Sequence, residues 1–137
     1  MSMDDLALLA EFESCRLPVE AWTHAAHVRV AYTYLSRYGF AEALVRMRAA
    51  IRAYNAAKQR RDGPLEGYHE TITVAWLRIV DATMRHYGPG DNSQDFCERQ
   101  PHLLSRTLLR LYYTRDRLVH PPAKTEFVEP DIAPLPK

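Results

Sequence analysis

The chain has 137 residues, 47% of them hydrophobic, and a formal charge of +1. That length supports one hydrophobic core and is short for two. The near-zero charge gives no electrostatic footprint for nucleic acid or for a membrane surface, and no apolar run reaches the length of a membrane span. The start, Met1-Ser2-Met3-Asp4-Asp5, is acidic and lacks the basic region of a signal peptide. The expectation is a cytoplasmic protein with no nucleic-acid or membrane partner. Cys15 and Cys97 form no CxxC pair, so free thiols are expected in a reducing compartment.

Residues 4–15 read as a first helix, with Leu6, Leu9 and Phe12 as its apolar stripe and Asp4 and Asp5 favourably placed at its N-terminus. Pro18 suits the first position of a second helix over 18–37. With His24 at zero on a helical wheel, Glu20, His27, Val28, Ala31 and Leu35 fall within about 60° of it. Arg29, Thr33 and Arg37 fall on the opposite, wet side. Gly39 ends this helix. A third helix is expected over 40–58 on Phe40, Leu44, Met47, Ile51 and Tyr54, followed by a charged, glycine-containing loop from Lys58 to Gly67.

A fourth helix is expected over 68–87. His69 shares its stripe with Thr73, Trp76, Val80 and Thr83, Glu70 sits on the flank about 100° round, and Thr71, Arg78 and Arg85 point away. Gly88-Pro89-Gly90 stops it. Asn92 or Ser93 caps a fifth segment over 93–113 that Pro101 divides. Five prolines beyond residue 119 indicate an extended tail over 120–137, packed through Phe127, Val128, Ile132 and Leu135. The fold expected is all-α: an antiparallel bundle of four to six helices over 1–119, carrying a proline-rich tail.

Two stretches draw attention within this frame. Glu20-Ala21-Trp22-Thr23-His24-Ala25-Ala26-His27 sets two histidines one turn apart on a buried stripe. Tyr68-His69-Glu70-Thr71 places a third histidine at the start of another helix. Short connections favour antiparallel neighbours, which puts the N-termini of helices two and four at one end. Tyr54, Tyr112 and Tyr113 also reach that end. Buried imidazoles need partners. Three of them with a carboxylate make a transition-metal site, with His24, His27 and His69 as ligands. Glu70 or Glu20 is then a fourth ligand, an orienting group or a general base. Zinc in such a site activates water, and iron suits dioxygen chemistry.

The plainer reading is a hydrogen-bonded core network of the same histidines with Glu20, Glu70 and tyrosines. Cys15 near the histidines would make a Cys–His nucleophile, and its plainer reading is a small buried hydrophobe. Trp22 and Trp76 could line a pocket for a planar ligand, and at helical spacing they are core residues. His86, His102 and His120 receive no role.

The succession Trp22-Thr23-His24-Ala25-Ala26-His27, Tyr68-His69-Glu70-Thr71 and Phe127-Val128-Glu129-Pro130-Asp131 resembles a group of small bacterial helical proteins of unassigned function, over nearly the whole chain. In outline the architecture is similar to DinB-like metal-binding bundles, from which the histidine spacing departs. The resemblance carries no activity, and the histidine stretches themselves lead to two expected functions. One is a metal-dependent hydrolase or oxidoreductase, with zinc or iron, acting on a small molecule. The other is a non-enzymatic bundle that binds a small ligand or a protein, including a second copy of itself.

Overall fold

The computed structural model describes residues 3–137. The chain is all-α: among the described residues there are seven α-helices, three short 3-10 turns and no strand. The helices are α1 (Asp5–Glu13), α2 (His24–Tyr38), α3 (Phe40–Ala57), α4 (Glu70–Tyr87), α5 (Ser93–Arg99), α6 (Arg115–Val119) and α7 (Pro121–Thr125). The 3-10 turns cover Val19–Ala21, Pro101–Leu104 and Arg106–Leu111.

α2 begins later than its apolar spacing predicts. Pro18 opens a 3-10 turn rather than the helix, and Trp22 leaves helical geometry at φ −84° and ψ 64°. Thr23 then caps α2, its hydroxyl accepting the Ala26 N–H at 3.2 Å. Glu20 therefore lies outside α2, and its place on the histidine stripe is lost. α2 is also covered on more sides than an amphipathic wheel implies. Ala31, Tyr32, Thr33, Tyr34 and Leu35 are all buried in succession. α1, α3, α4 and α5 all pack around it, so it is the central element of the core. Arg29, expected to be wet, reaches Asp5 on α1 at 3.5 Å and the Ser93 hydroxyl at 2.7 Å.

A single residue, Gly39, ends α2 and begins α3 at φ 76°. A Cβ there would touch nothing, so glycine is needed for its backbone angle and not for space. The Tyr54 hydroxyl at the end of α3 donates to the Leu17 carbonyl just before α2, at 2.7 Å. The Tyr32 hydroxyl in α2 donates to the Pro89 carbonyl just after α4, at 2.9 Å. α2 and α4 thus run the same way with α3 opposed to both, as the short connections predict.

The fifth segment is broken as Pro101 requires, because the residue before proline is pushed out of helical geometry; Gln100 sits at φ −124° and ψ 61°. The chain then winds across the bundle as two 3-10 turns and α6. The terminal segment is helical over Pro121–Thr125 and extended only afterwards. It is tied down by polar contacts: the Tyr113 hydroxyl donates to the Val128 carbonyl at 2.7 Å, the Ile132 N–H to the Tyr112 carbonyl at 2.9 Å, and Thr114 to the Asp131 carboxylate.

Candidate functional site

The two histidine stretches do not meet. His24 opens α2 and lies edge-on to Trp76, ring centres 4.6 Å apart. His69 precedes Trp76 by seven residues, about 10 Å along a helix axis. α4 therefore begins roughly two turns before α2 does. Antiparallel topology brings the two N-termini to one end of the bundle but leaves their axial offset free.

His69 is the N-cap of α4, not a member of its stripe. Its backbone is extended, and its Nδ1 accepts the Ile72 N–H at 3.2 Å. Its Nε2 lies 2.8 Å from the Leu118 carbonyl, which can only accept, so the ring proton sits on Nε2. Burial lowers its pKa against the pull of that carbonyl. Both ring nitrogens are thus committed to backbone, and no lone pair is left for a metal.

Glu70 is likewise spent. Both its oxygens are gripped by the Arg48 guanidinium, at 2.9 and 2.6 Å, and it accepts the Tyr68 hydroxyl. Arg48 holds its carboxyl below the usual glutamate range. Glu20 is exposed on its 3-10 turn. Among the described residues no three His, Cys, Asp or Glu side chains are placed to hold a metal ion together. His24, His27, His69, Glu20 and Glu70 are therefore not one ligand set.

Thr71, expected to point outward, is fully buried. Its hydroxyl donates to the Ala123 carbonyl at 2.6 Å and accepts the Val128 N–H at 3.1 Å. The terminal segment covers this face of α4, and no periodicity within α4 announces that cover. Tyr68-His69-Glu70-Thr71 and the segment around Phe127 and Val128 are two halves of one clamp, which explains both without chemistry.

His24 and His27 are arranged differently. The His24 Nε2 lies 2.9 Å from the Leu103 carbonyl, so Nε2 carries the proton and Nδ1 is a free acceptor. The His27 Nδ1 lies 2.8 Å from the Thr23 carbonyl, so Nε2 is the free acceptor. The Trp22 ring stacks on His27 at 3.7 Å and on Phe12 at 4.0 Å. Desolvation pushes the His27 pKa down to about 4 and lowers that of His24, with the Arg106 charge adding to both effects. Both rings are neutral at pH 7. No buried side-chain polar atom among the described residues lacks a partner, so the two free nitrogens reach open space.

Both histidines line a cavity of about 810 Å³. Its walls are Val28 and Ala31 of α2, Met47 and Ile51 of α3, Ile72, Trp76 and Val80 of α4, and Leu109 and Leu118 from the crossing segment. His24 and His27 sit on one wall. Arg106, Arg110 and Arg115 line the cavity while remaining exposed, so they mark its opening to solvent. Trp76 lines the cavity, as one reading of the sequence allowed, but the enclosure itself was not legible: about a third of the lining comes from residues 106–118, whose broken helical geometry hides which side faces inward. Cys15 and Cys97 are free thiols outside its lining.

Comparisons with protein-family models, with curated proteins and with solved structures find no match for this chain. No helix among the described residues is long and apolar enough to cross a membrane.

Proposed function

We propose that this protein is a small-molecule-binding helical bundle. The observation that carries the reading is the cavity of about 810 Å³, apolar on most of its walls and furnished with a few convergent polar groups at one side. Its size lies within the range that holds a drug-sized ligand. A ligand would bury an apolar body against Val28, Ile51, Ile72 and Trp76, and a polar group on that body would meet His24 and His27. Those two neutral rings offer acceptors, so a hydroxyl or amide N–H on the ligand finds a partner there. Trp22 and Thr23 hold His27, and the Leu103 carbonyl holds His24, so the acceptors are fixed before binding.

The test uses N-phenyl-1-naphthylamine, a neutral probe that fluoresces in apolar pockets. It should bind the intact protein with saturable fluorescence. Ala31→Phe and Ile72→Trp, which fill the cavity from two walls, should each weaken it about tenfold or more, a loss of about 1.4 kcal/mol or greater. Circular dichroism should show both variants folded. Absence of probe binding, or equal binding by both folded variants, would overturn the reading.

A metal-dependent reaction on a small molecule is the second reading. It is favoured by the two unprotonated imidazole nitrogens that open on one cavity. Zinc or iron would be held by His24 and His27 alone, with the substrate supplying further donors. Elemental analysis of the purified protein and of a His24→Ala/His27→Ala variant decides it: a stoichiometric metal lost in the variant supports a two-histidine site, and no metal in either rejects it.

A further inference from the structure

The arginines at the cavity opening stand out from the others in the chain. Seven arginines (16, 29, 46, 48, 61, 85 and 99) pair with carboxylates, and Arg37, Arg52 and Arg78 lie over aromatic rings. Arg117 donates to the Glu129 carbonyl. Of the four arginines that remain without such a partner among the described residues, Arg106, Arg110 and Arg115 all line the cavity. The chain carries 17 acidic residues, nearly enough to match its cations, yet no Asp or Glu lines this cavity. The pocket is thus apolar within, and its opening carries three positive charges beside the exposed Leu65 and Ile132, with no acidic residue in the lining.

We infer that the ligand is an amphipathic carboxylate: an apolar chain or ring system inside the cavity, with a carboxylate held by Arg106, Arg110 and Arg115. This rests on the ligand-binding reading above and assigns its chemical class. A guanidinium presents paired N–H donors that match a carboxylate. Arg106 and Arg110 lie four residues apart on one 3-10 turn and Arg115 opens α6, so a ligand head at the opening meets donors from two elements. His24 and His27, as neutral acceptors, suit a hydroxyl further along the ligand and do not compete for the carboxylate. A cationic head is repelled by the same three charges, and a neutral head leaves their donors to water.

The experiment is displacement of N-phenyl-1-naphthylamine at pH 8 by dodecanoate, by 1-dodecanol and by dodecyltrimethylammonium, below their micelle concentrations. Dodecanoate should bind about tenfold more tightly than dodecanol, the effect expected of charge-assisted hydrogen bonds. The ammonium should bind more weakly than either. Arg106→Gln/Arg110→Gln/Arg115→Gln should abolish the preference for dodecanoate, read as the ratio of the dodecanoate and dodecanol affinities in a variant whose circular dichroism matches that of the parent. Raising salt should shrink the dodecanoate preference and not the dodecanol affinity. If the probe and all three compounds fail to bind, the cavity is not a ligand site and both readings fall. If dodecanol matches dodecanoate in the parent protein, or the arginine variant keeps the preference, the carboxylate assignment falls and the ligand-binding reading stands.

Discussion

The starts of α2 and α4 are alike in composition and opposite in use. Each begins with a polar cap, and each has a histidine bound to a backbone carbonyl from the crossing segment: Leu103 for His24, Leu118 for His69. At α4 the second ring nitrogen also binds backbone, the following glutamate is locked by Arg48, and the following threonine is buried under the terminal segment. At α2 a threonine does the capping, which leaves one nitrogen on each histidine free toward the cavity. The difference teaches that a histidine's chemistry depends on how many of its nitrogens the backbone takes. A capping histidine is spent, and one just inside a capped helix is available.

The largest expected effect breaks the α4 side. His69→Ala removes an N-cap and leaves the Leu118 carbonyl without its donor, which should cost about 2–4 kcal/mol in denaturant unfolding. Ligand binding should persist wherever the variant remains folded. A loss under about 1 kcal/mol would show that the start of α4 is not clamped as the hydrogen bonds indicate.

Next comes a pH test of the α2 side. The His27 pKa is lowered to about 4 in the folded chain, whereas an unfolded histidine titrates near about 6.5. The unfolded state therefore binds the proton first. Stability is complete above about pH 6.5 and falls as the pH drops toward and below about 4, by no more than about 3–4 kcal/mol. His27→Phe keeps the stack with Trp22 and should make this part of the profile shallower, leaving the share of His24 and His69, whose pKa values are also lowered by burial. An unchanged slope in the variant would place the titration elsewhere.

Glu70→Gln should cost about 1–2 kcal/mol at neutral pH, because Arg48 loses a charged partner in a partly buried setting. The folded carboxyl lies below the ordinary glutamate range, so its contribution is present above about pH 4.3 and lost as pH falls through the lower folded value. The variant should lack that acid-side loss. Smallest is His24→Gln, whose amide can still donate to the Leu103 carbonyl. Its stability should change by under about 1 kcal/mol, while probe affinity changes measurably. The reverse pattern, a large stability loss with unchanged binding, would erase the contrast between the two helix starts.

The helical class and most of the helices were legible in the amino-acid order. Apolar spacing located α1, α3 and the bulk of α4, and Gly39, Gly88 and Pro101 marked their breaks, because these signals act within a few residues. The amino-acid order also drew attention to two stretches, one holding His24 and His27, which line the cavity, and one holding His69, Glu70 and Thr71, which form the clamp. Periodicity could not separate them by role. It placed His69 and Glu20 on helical wheels when one is a cap and the other precedes its helix, since a cap is defined by backbone angle and not by apolar phase. The axial offset of α4 against α2, the burial of Thr71 and the cavity closed by residues 106–118 emerge at the level of packing. Each depends on packing between segments far apart in the chain, and local sequence carries no record of the distance between them.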